Sequence, residues 1–418
     1  MNATTWFESF FLVLLLVVTL GRLWLSGRQI RHVQTHRSEV PEAFRTRISL
    51  EEHQKAADYT CAKARLRMVQ TLGDAVLLFV FTEGGLLAHL DQLIRTHVVS
   101  WWVHDLLLGG SVLVVGVLVD MPFTLYDTFR LETRFGFNRM TPRLFLADLV
   151  RESLITSLLG APLFLAAVAM MNSLGPFWWV WSWVAWMLFS VGLQAIYPTW
   201  IAPLFNRFSP LPTGELREKI ESLLKRCGFD ASGLFVMDGS RRSRHGNAYF
   251  TGFGRSRRVV FFDTLLERLN PEEVEAVLAH ELGHYHGRHV LQRILMTFAL
   301  SLVFLMLLGW LKDAPWFYQG LGVNMPGTAM SLILFTLVMP LLGFPLKPLM
   351  SLHSRKHEFE ADDYAARHTS ANRLVSALVK LYQDNAATLT PDPLHSAIYD
   401  SHPPAAVRIA HLESLSSA

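Results

Sequence analysis

The stretch "AVLAHELGHYHGRHV", residues 276–290, concentrates four histidines and a glutamate in fifteen positions. Within it "HELGH" sets His280 and His284 four residues apart. On a helix that spacing puts both imidazoles on one face, able to reach a single ion at ~2.0–2.1 Å. Glu281, beside the first histidine, points to a neighbouring position where it can polarise a water for attack. A catalytic zinc needs a third protein ligand and an open fourth position. "SRKHEFEADDYAARH", residues 354–368, offers that ligand: Glu358 and Asp362 are again four apart, so one can bind metal while the other supports it. Ligating histidines usually donate their free N–H to a carboxylate, and Asp362 is the candidate acceptor. Glu360 lies roughly 200° round the helix from Glu358 and should face elsewhere. Each stretch alone admits a plainer reading, histidines at a helix end and a solvated charged helix. Together they point to metal-assisted hydrolysis.

The elements that carry these residues are mostly apolar. The chain has 418 residues, 51% hydrophobic and 17% charged, with 12 Trp, 28 Phe and a mean hydropathy of +0.27. Soluble domains carry about 25% charged residues, so this composition implies a polytopic membrane protein with water-facing parts. A net charge of +3, without a basic stripe interleaved with aromatics, excludes a nucleic-acid partner. Cys61 and Cys227 are the only cysteines and form no CxxC, which excludes a disulfide framework or thiolate metal site. Of the 38 basic residues 30 are Arg and 8 Lys, a skew that suggests a GC-rich bacterial genome.

Seven segments are long and apolar enough to cross a bilayer, near 7–26, 73–90, 104–126, 153–172, 177–205, 290–311 and 327–350. The first lacks a basic start and a cleavage site and reads as an anchor. Arg28 to Arg67 crowd the first connection and Arg130 to Arg151 the third, while the alternate connections carry Arg95 and Lys312 alone. Basic loops stay cytoplasmic, so the N-terminus is expected outside, with the C-terminus and both metal stretches inside. The chain then divides into a membrane domain of five spans (1–205), a first catalytic part with the HExxH helix (206–289), spans six and seven (290–350), and a second catalytic part with the ExxxD helix (351–418). The first catalytic part reads as α+β. "GELREKIESLLKRCGF" has helical spacing, "GLFVMDG" is a short strand, and "GNAYFTGFG" with "RRVVFFD" forms a hairpin turning at Arg255–Ser256. Asn270, Pro271 and Glu273 spell the capped start of the metal helix.

The chain resembles the type I CAAX prenyl protease family, integral-membrane gluzincin metallopeptidases. "HELGH" and "EFEAD" match its zinc motifs, and "ISLEEHQKAADYTCAKARL", "DTFRLETRFGFNRMT", "IAPLFNRFSPLPTGELREKIESL", "HGNAYFTGFGRSRRVVFFDTLLE" and "SHPPAAVRIAHL" resemble family segments in family order. A heat-shock-type membrane zinc protease shares the zinc motifs but is shorter and lacks the amino-terminal segments. The resemblance implies one Zn2+ on His280, His284 and Glu358, with Glu281 catalytic. It also implies that His402 and Arg408 steady the carbonyl oxygen as it becomes an oxyanion, and that Asn247, Ala248 and Tyr249 form an edge strand pairing with an extended peptide. Read from the residues alone, His402 is a turn residue before Pro403, Arg408 a helix-surface charge, and the strand an ordinary hairpin. The implied fold is mainly α, with seven transmembrane helices around a water-filled chamber and a small α+β zinc-protease domain on the cytoplasmic side. Asp74, Glu83 and Asp120 would then face water inside the chamber.

The implied reaction is hydrolysis of a peptide bond, with family substrates that are prenylated proteins losing their last three residues. The expected partners are a peptide or protein substrate and the lipid bilayer, with the protein a monomer. The expected location is a bacterial inner membrane, or the endoplasmic reticulum in a eukaryote. General quality control of membrane proteins is the alternative task. From other classes, a transporter with a regulatory metal site leaves Glu281 unexplained, and a non-catalytic zinc scaffold requires four protein ligands where three are found.

Overall fold

Apolar runs in lipid satisfy their backbone as helices, and the computed structural model, which describes residues 2–229, 232–252 and 257–416, is built mainly from them. The membrane part begins with α1 (Ala3–Thr35), α2 (Leu50–Phe81), α3 (Leu86–His97), α4 (Trp101–Tyr126), α5 (Pro142–Ser173) and α6 (Trp178–Ile196). A small unit follows, with β1 (Phe208–Pro210), α7 (Glu215–Arg226), β2 (Gly233–Met237), β3 (Ala248–Thr251), β4 (Arg258–Phe262) and α8 (Pro271–His286). The chain re-enters the apolar region as α9 (His289–Leu311) and α10 (Thr328–Gly343). It then completes the unit with α11 (Lys347–His368), α12 (Ala371–Asp384), α13 (Pro393–Tyr399) and α14 (Ala405–Ser416).

Among the described residues six helices are long and apolar enough to cross a membrane, and the pair α2 and α3, bent by 49°, makes a seventh when counted as one span. The expected span at 73–90 is therefore no single helix. It straddles this break, where "TEGG" (82–85) interrupts the turn and Gly85 takes the left-handed conformation at φ 71°. Neighbouring contacts run α1–α2–α4–α5–α6–α9–α10 and return to α1, closing a ring. In four of its candidate spans only 6–11% of the most apolar window is buried within the protein. Apart from α1 and α10, where 28% and 44% are buried, the wall is thus largely one helix thick, with both faces open.

The small unit lies at one end of this ring. Its sheet runs β1-β2-β4-β3, with β2 and β4 parallel and the other pairs antiparallel. The expected hairpin strands pair as β3 and β4, and their turn at Arg255–Ser256 lies outside the described residues. Strand β1, unexpected from the sequence, pairs at the opposite edge through three residues ending in Pro210, a position that tolerates proline. Val274, Leu278 and Leu282 of α8 are packed against Val259 and Phe261 of β4, Leu374 and Leu378 of α12, and Ile409 and Leu412 of α14. Each such side chain buried contributes roughly 1.5–3 kcal/mol. The core therefore joins segments from before and after α9 and α10 into one body.

Candidate metal centre

Helix α8 starts as its sequence predicts. The Asn270 side chain accepts from Glu273 N at 2.9 Å, and the Glu273 carboxylate accepts from Asn270 N at 2.9 Å. Glu273 is buried and also accepts from Ser376 Oγ and Lys380 Nζ, both at 2.7 Å, which ties the helix start to α12. Burial alone would raise its pKa. The bonds from Lys380, Ser376 and the Asn270 backbone outweigh it and hold Glu273 below the usual carboxylate range.

Farther along, α8 crosses α11 at backbone contact. A Cβ on Gly283 would lie 2.7 Å from the Ala361 Cα, so the crossing needs glycine there. Glu358 and Asp362 flank Ala361 on α11, and the crossing brings both to the histidine face of α8.

His280 Nε2, His284 Nε2 and the Glu358 carboxylate converge. The imidazole nitrogens are 3.3 Å apart, and they stand 3.6 and 3.3 Å from Glu358 Oε2 and Oε1 respectively. An ion bound tetrahedrally at ~2.0–2.1 Å keeps its ligand atoms about 3.4 Å apart, so the donor set fits a small divalent ion. Glu358 Oε2 is fully buried and forms no aligned hydrogen bond with the protein, although His402 Nδ1 lies 2.6 Å away. A buried carboxylate oxygen without an aligned hydrogen bond is suited to a metal ion.

Both histidines are oriented from behind. His280 Nδ1 lies 2.8 Å from Asp362 Oδ1, the expected pairing. Asp362 is held in turn by Arg408, through Nε at 2.9 Å and Nη2 at 2.6 Å, with both residues buried. Arg408 therefore is not a helix-surface charge. Its remaining Nη1 is 3.4 Å from Glu358 Oε2. His402 stands exposed at the rim against the same Glu358 oxygen. Glu281 is half-buried and, among the described residues, has no hydrogen-bond or ion-pair partner.

The sequence gives no place to His289. Its Nδ1 is 3.0 Å from His284 Nδ1, and its Nε2 is 2.9 Å from Glu360 Oε2. An ion on His284 Nε2 would leave the hydrogen on His284 Nδ1, which then donates to His289 Nδ1, while the His289 hydrogen on Nε2 serves Glu360. Glu360 thus lies off the face shared by His280, His284 and Glu358, as expected, and reaches His284 through His289. His289, His357 and Glu360 also lie within reach of one another. In that proton arrangement His289 has no free lone pair and links Glu360 to His284 as a relay. The backbone builds it: Arg288 adopts the left-handed region at φ 53°, and a Cβ on Gly287 would meet His289 Nε2 at 2.2 Å. The only signal for it in the sequence is the density of histidines.

Strand β3 ends the sheet and packs on α8. Phe262 N donates to Asn247 O at 2.9 Å. In the antiparallel register the inward-bonded residues are then Asn247, Tyr249 and Thr251, and the groups on the open side belong to Ala248 and Phe250. The Ala248 N–H is taken by Asn247 Oδ1 at 2.8 Å, leaving the Ala248 C=O and both Phe250 groups for a partner. Burial pushes the Tyr249 phenol up to about 12, keeping it neutral.

Comparison with known proteins gives consistent results. The family described as CAAX prenyl protease N-terminal, five membrane helices, matches residues 29–207, and Peptidase family M48 matches residues 210–416. CAAX prenyl protease 1 homolog of Arabidopsis thaliana is 32% identical over 417 residues, 96% of each chain. CAAX prenyl protease 1 of Saccharomyces cerevisiae is 32% identical over 421 residues, covering 94% of this chain and 92% of that one. The crystal structure of S. mikatae Ste24p superposes with a TM-score of 0.90 at 28% identity, over 99% of both chains.

Proposed function

The chain belongs to peptidase family M48, and on that premise we propose that its metal is a single zinc ion held by His280, His284 and Glu358. It is an integral, multi-pass membrane metalloendopeptidase of the CAAX prenyl protease type. The observation that carries the metal assignment is the mutual 3.3–3.6 Å spacing of the three donors around a buried carboxylate oxygen without an aligned hydrogen bond. Zinc there supplies Lewis acidity to a water and to the scissile carbonyl.

The residues of the chain do the rest. The open edge of β3 accepts an extended peptide through the Ala248 and Phe250 backbone groups, and Asn247 and Tyr249 fix that edge. Glu281, free of partners, takes the proton of the attacking water and passes it to the leaving amine. His402 donates to the carbonyl oxygen as negative charge develops there, an effect often worth ~3–4 kcal/mol. Arg408 contributes Nη1 to the same charge while its other nitrogens hold Asp362, and Asp362 keeps His280 in the tautomer that presents Nε2. Substrates include prenylated peptides cut near their C-terminus, and the enzyme works as a monomer.

The test is Glu281→Gln in purified, zinc-loaded protein, assayed on a farnesylated CAAX peptide and its unprenylated twin. The variant retains zinc by elemental analysis and loses at least about a hundredfold in kcat. Full activity in that variant with metal bound defeats the assignment. Preference for the farnesylated twin identifies prenyl processing, and equal cleavage identifies general proteolysis.

A further inference from the structure

Arg67 on α2 and Lys347 at the start of α11 meet at Tyr399 at the end of α13, and Arg22 on α1 stands over Phe344 with its Nη2 donating to Pro340 O at 3.2 Å. The Arg67 guanidinium lies 5.9 Å and Lys347 Nζ 5.3 Å from the Tyr399 ring centroid. Arg22 is near enough to act electrostatically on both Lys347 and Tyr399. Other cations on this wall are neutralised: Lys63 by Asp127 and Glu132 at 2.8 and 2.6 Å, and Arg28 by Asp392 at 2.9 Å. Arg355 is taken up by the Ser396 and Asp400 carbonyls. Among the described residues, none of Arg22, Arg67 and Lys347 has a carboxylate at ion-pair distance. Asp74 acts on Arg22 only from farther off.

Cations at the ends of membrane helices ordinarily turn outward to lipid headgroups. Here Arg67 and Tyr399 line a cavity of about 500 Å³. His402 lines the same cavity, with its Nδ1 2.6 Å from the metal-binding Glu358. Asp400 also lines it, and forms no ion pair with the three cations. The space therefore runs from the metal centre to Arg67, with Lys347 beyond the lining, on the Tyr399 ring.

A peptide held only by backbone bonds to β3 can slide by two residues and bind as well as before. Cutting at a set distance from the end of a chain needs a fixed point that reads the end itself. We propose that Arg67, with Lys347 and Arg22 around it, receives the free α-carboxylate of the peptide being cleaved and so sets which bond meets the metal centre. An extended segment of two to four residues spans about 7–13 Å, the scale of such a cavity. The assignment rests on the peptidase reading above and adds the feature of the substrate that this cavity recognises.

The experiment compares one peptide sequence as free acid, as carboxamide, and extended by two C-terminal residues. The zinc-loaded protein is placed in nanodiscs of neutral phosphatidylcholine or with added anionic phosphatidylglycerol. The free acid should be cut with kcat/KM roughly tenfold to a hundredfold above the carboxamide, mainly through KM. Arg67→Met and Lys347→Met should bring that ratio toward one, whereas Arg67→Lys retains part of it. Calorimetric binding of acid and amide to the Glu281→Gln protein should follow the same ratio, independently of turnover. The extended peptide should be cut at a bond shifted by two residues. Equal cleavage of acid and amide by the unmodified protein overturns the proposal, as does a ratio that survives in both Met variants. Dependence on anionic lipid that Arg67→Met abolishes, with acid and amide cut alike, assigns the cluster to a lipid phosphate and also overturns it. Activity surviving Glu281→Gln strikes the metal-centre reading instead, and the acid-to-amide binding ratio separates the two failures.

Discussion

Among single residues, His289 illustrates how a group that touches no substrate can govern a metal site. It accepts from His284 and donates its own hydrogen to Glu360, so the His284 imidazole cannot rotate without breaking its bond to a ring that Glu360 holds in place. Loss of such support typically weakens metal binding 10–100-fold. His289→Ala should show that loss in competition with a chelator, and Glu360→Gln a smaller one. Zinc retention unchanged in both variants reduces the relay to packing. The role of Asp362 is legible in the sequence, because it stands one helical turn from Glu358 and a ligating histidine needs an acceptor. That of His289 is not, because its position depends on Arg288 entering the left-handed region, at a cost of order 1 kcal/mol that spacing does not reveal. Arg408, taken by its residue type alone, passes for a surface charge, and only the family resemblance draws it into the site. Its burial follows from the seating of α14 against α11, a tertiary fact.

Among elements, the crossing of α8 and α11 is the decisive contact. The two central positions of "HELGH" look free in a motif, yet Gly283 sits where any side chain meets the Ala361 backbone. Gly283→Ala should push α11 outward, moving Glu358 from the histidines. Zinc affinity and thermal stability should fall together, by about 1–3 kcal/mol in stability. A variant that keeps zinc affinity while losing stability contradicts the coupling. Much at this scale is readable: Asn270, Pro271 and Glu273 announce the start of α8, and the strands of the hairpin form where alternation places them. The sheet order is not, because β2 joins β4 in parallel across an intervening edge strand, a choice made by packing on α8 and not by local pattern.

For the whole molecule, basic residues alternate between connections, and the closed ring of helices agrees with seven crossings once α2 and α3 count as one. The charge pattern predicts an N-terminus outside and the metal centre in the cytoplasm. Single cysteines at positions 2 and 414, placed in a chain whose two native cysteines are replaced, should label from opposite sides with a membrane-impermeant reagent. Labelling of both from one side removes the odd number of crossings. Length and hydropathy make the crossings legible, but the 49° bend is hidden, since hydropathy averages over the "TEGG" break. The core of the small unit has a further consequence, because its halves are written on either side of α9 and α10. A chain still emerging from the ribosome holds His280 and His284 long before it acquires Glu358. Two imidazoles are a weak grip on an ion. On the proposed ligand set, hydrolytic competence arrives only after the last two crossings are threaded, and the order of synthesis itself keeps an unfinished protease from cutting its surroundings.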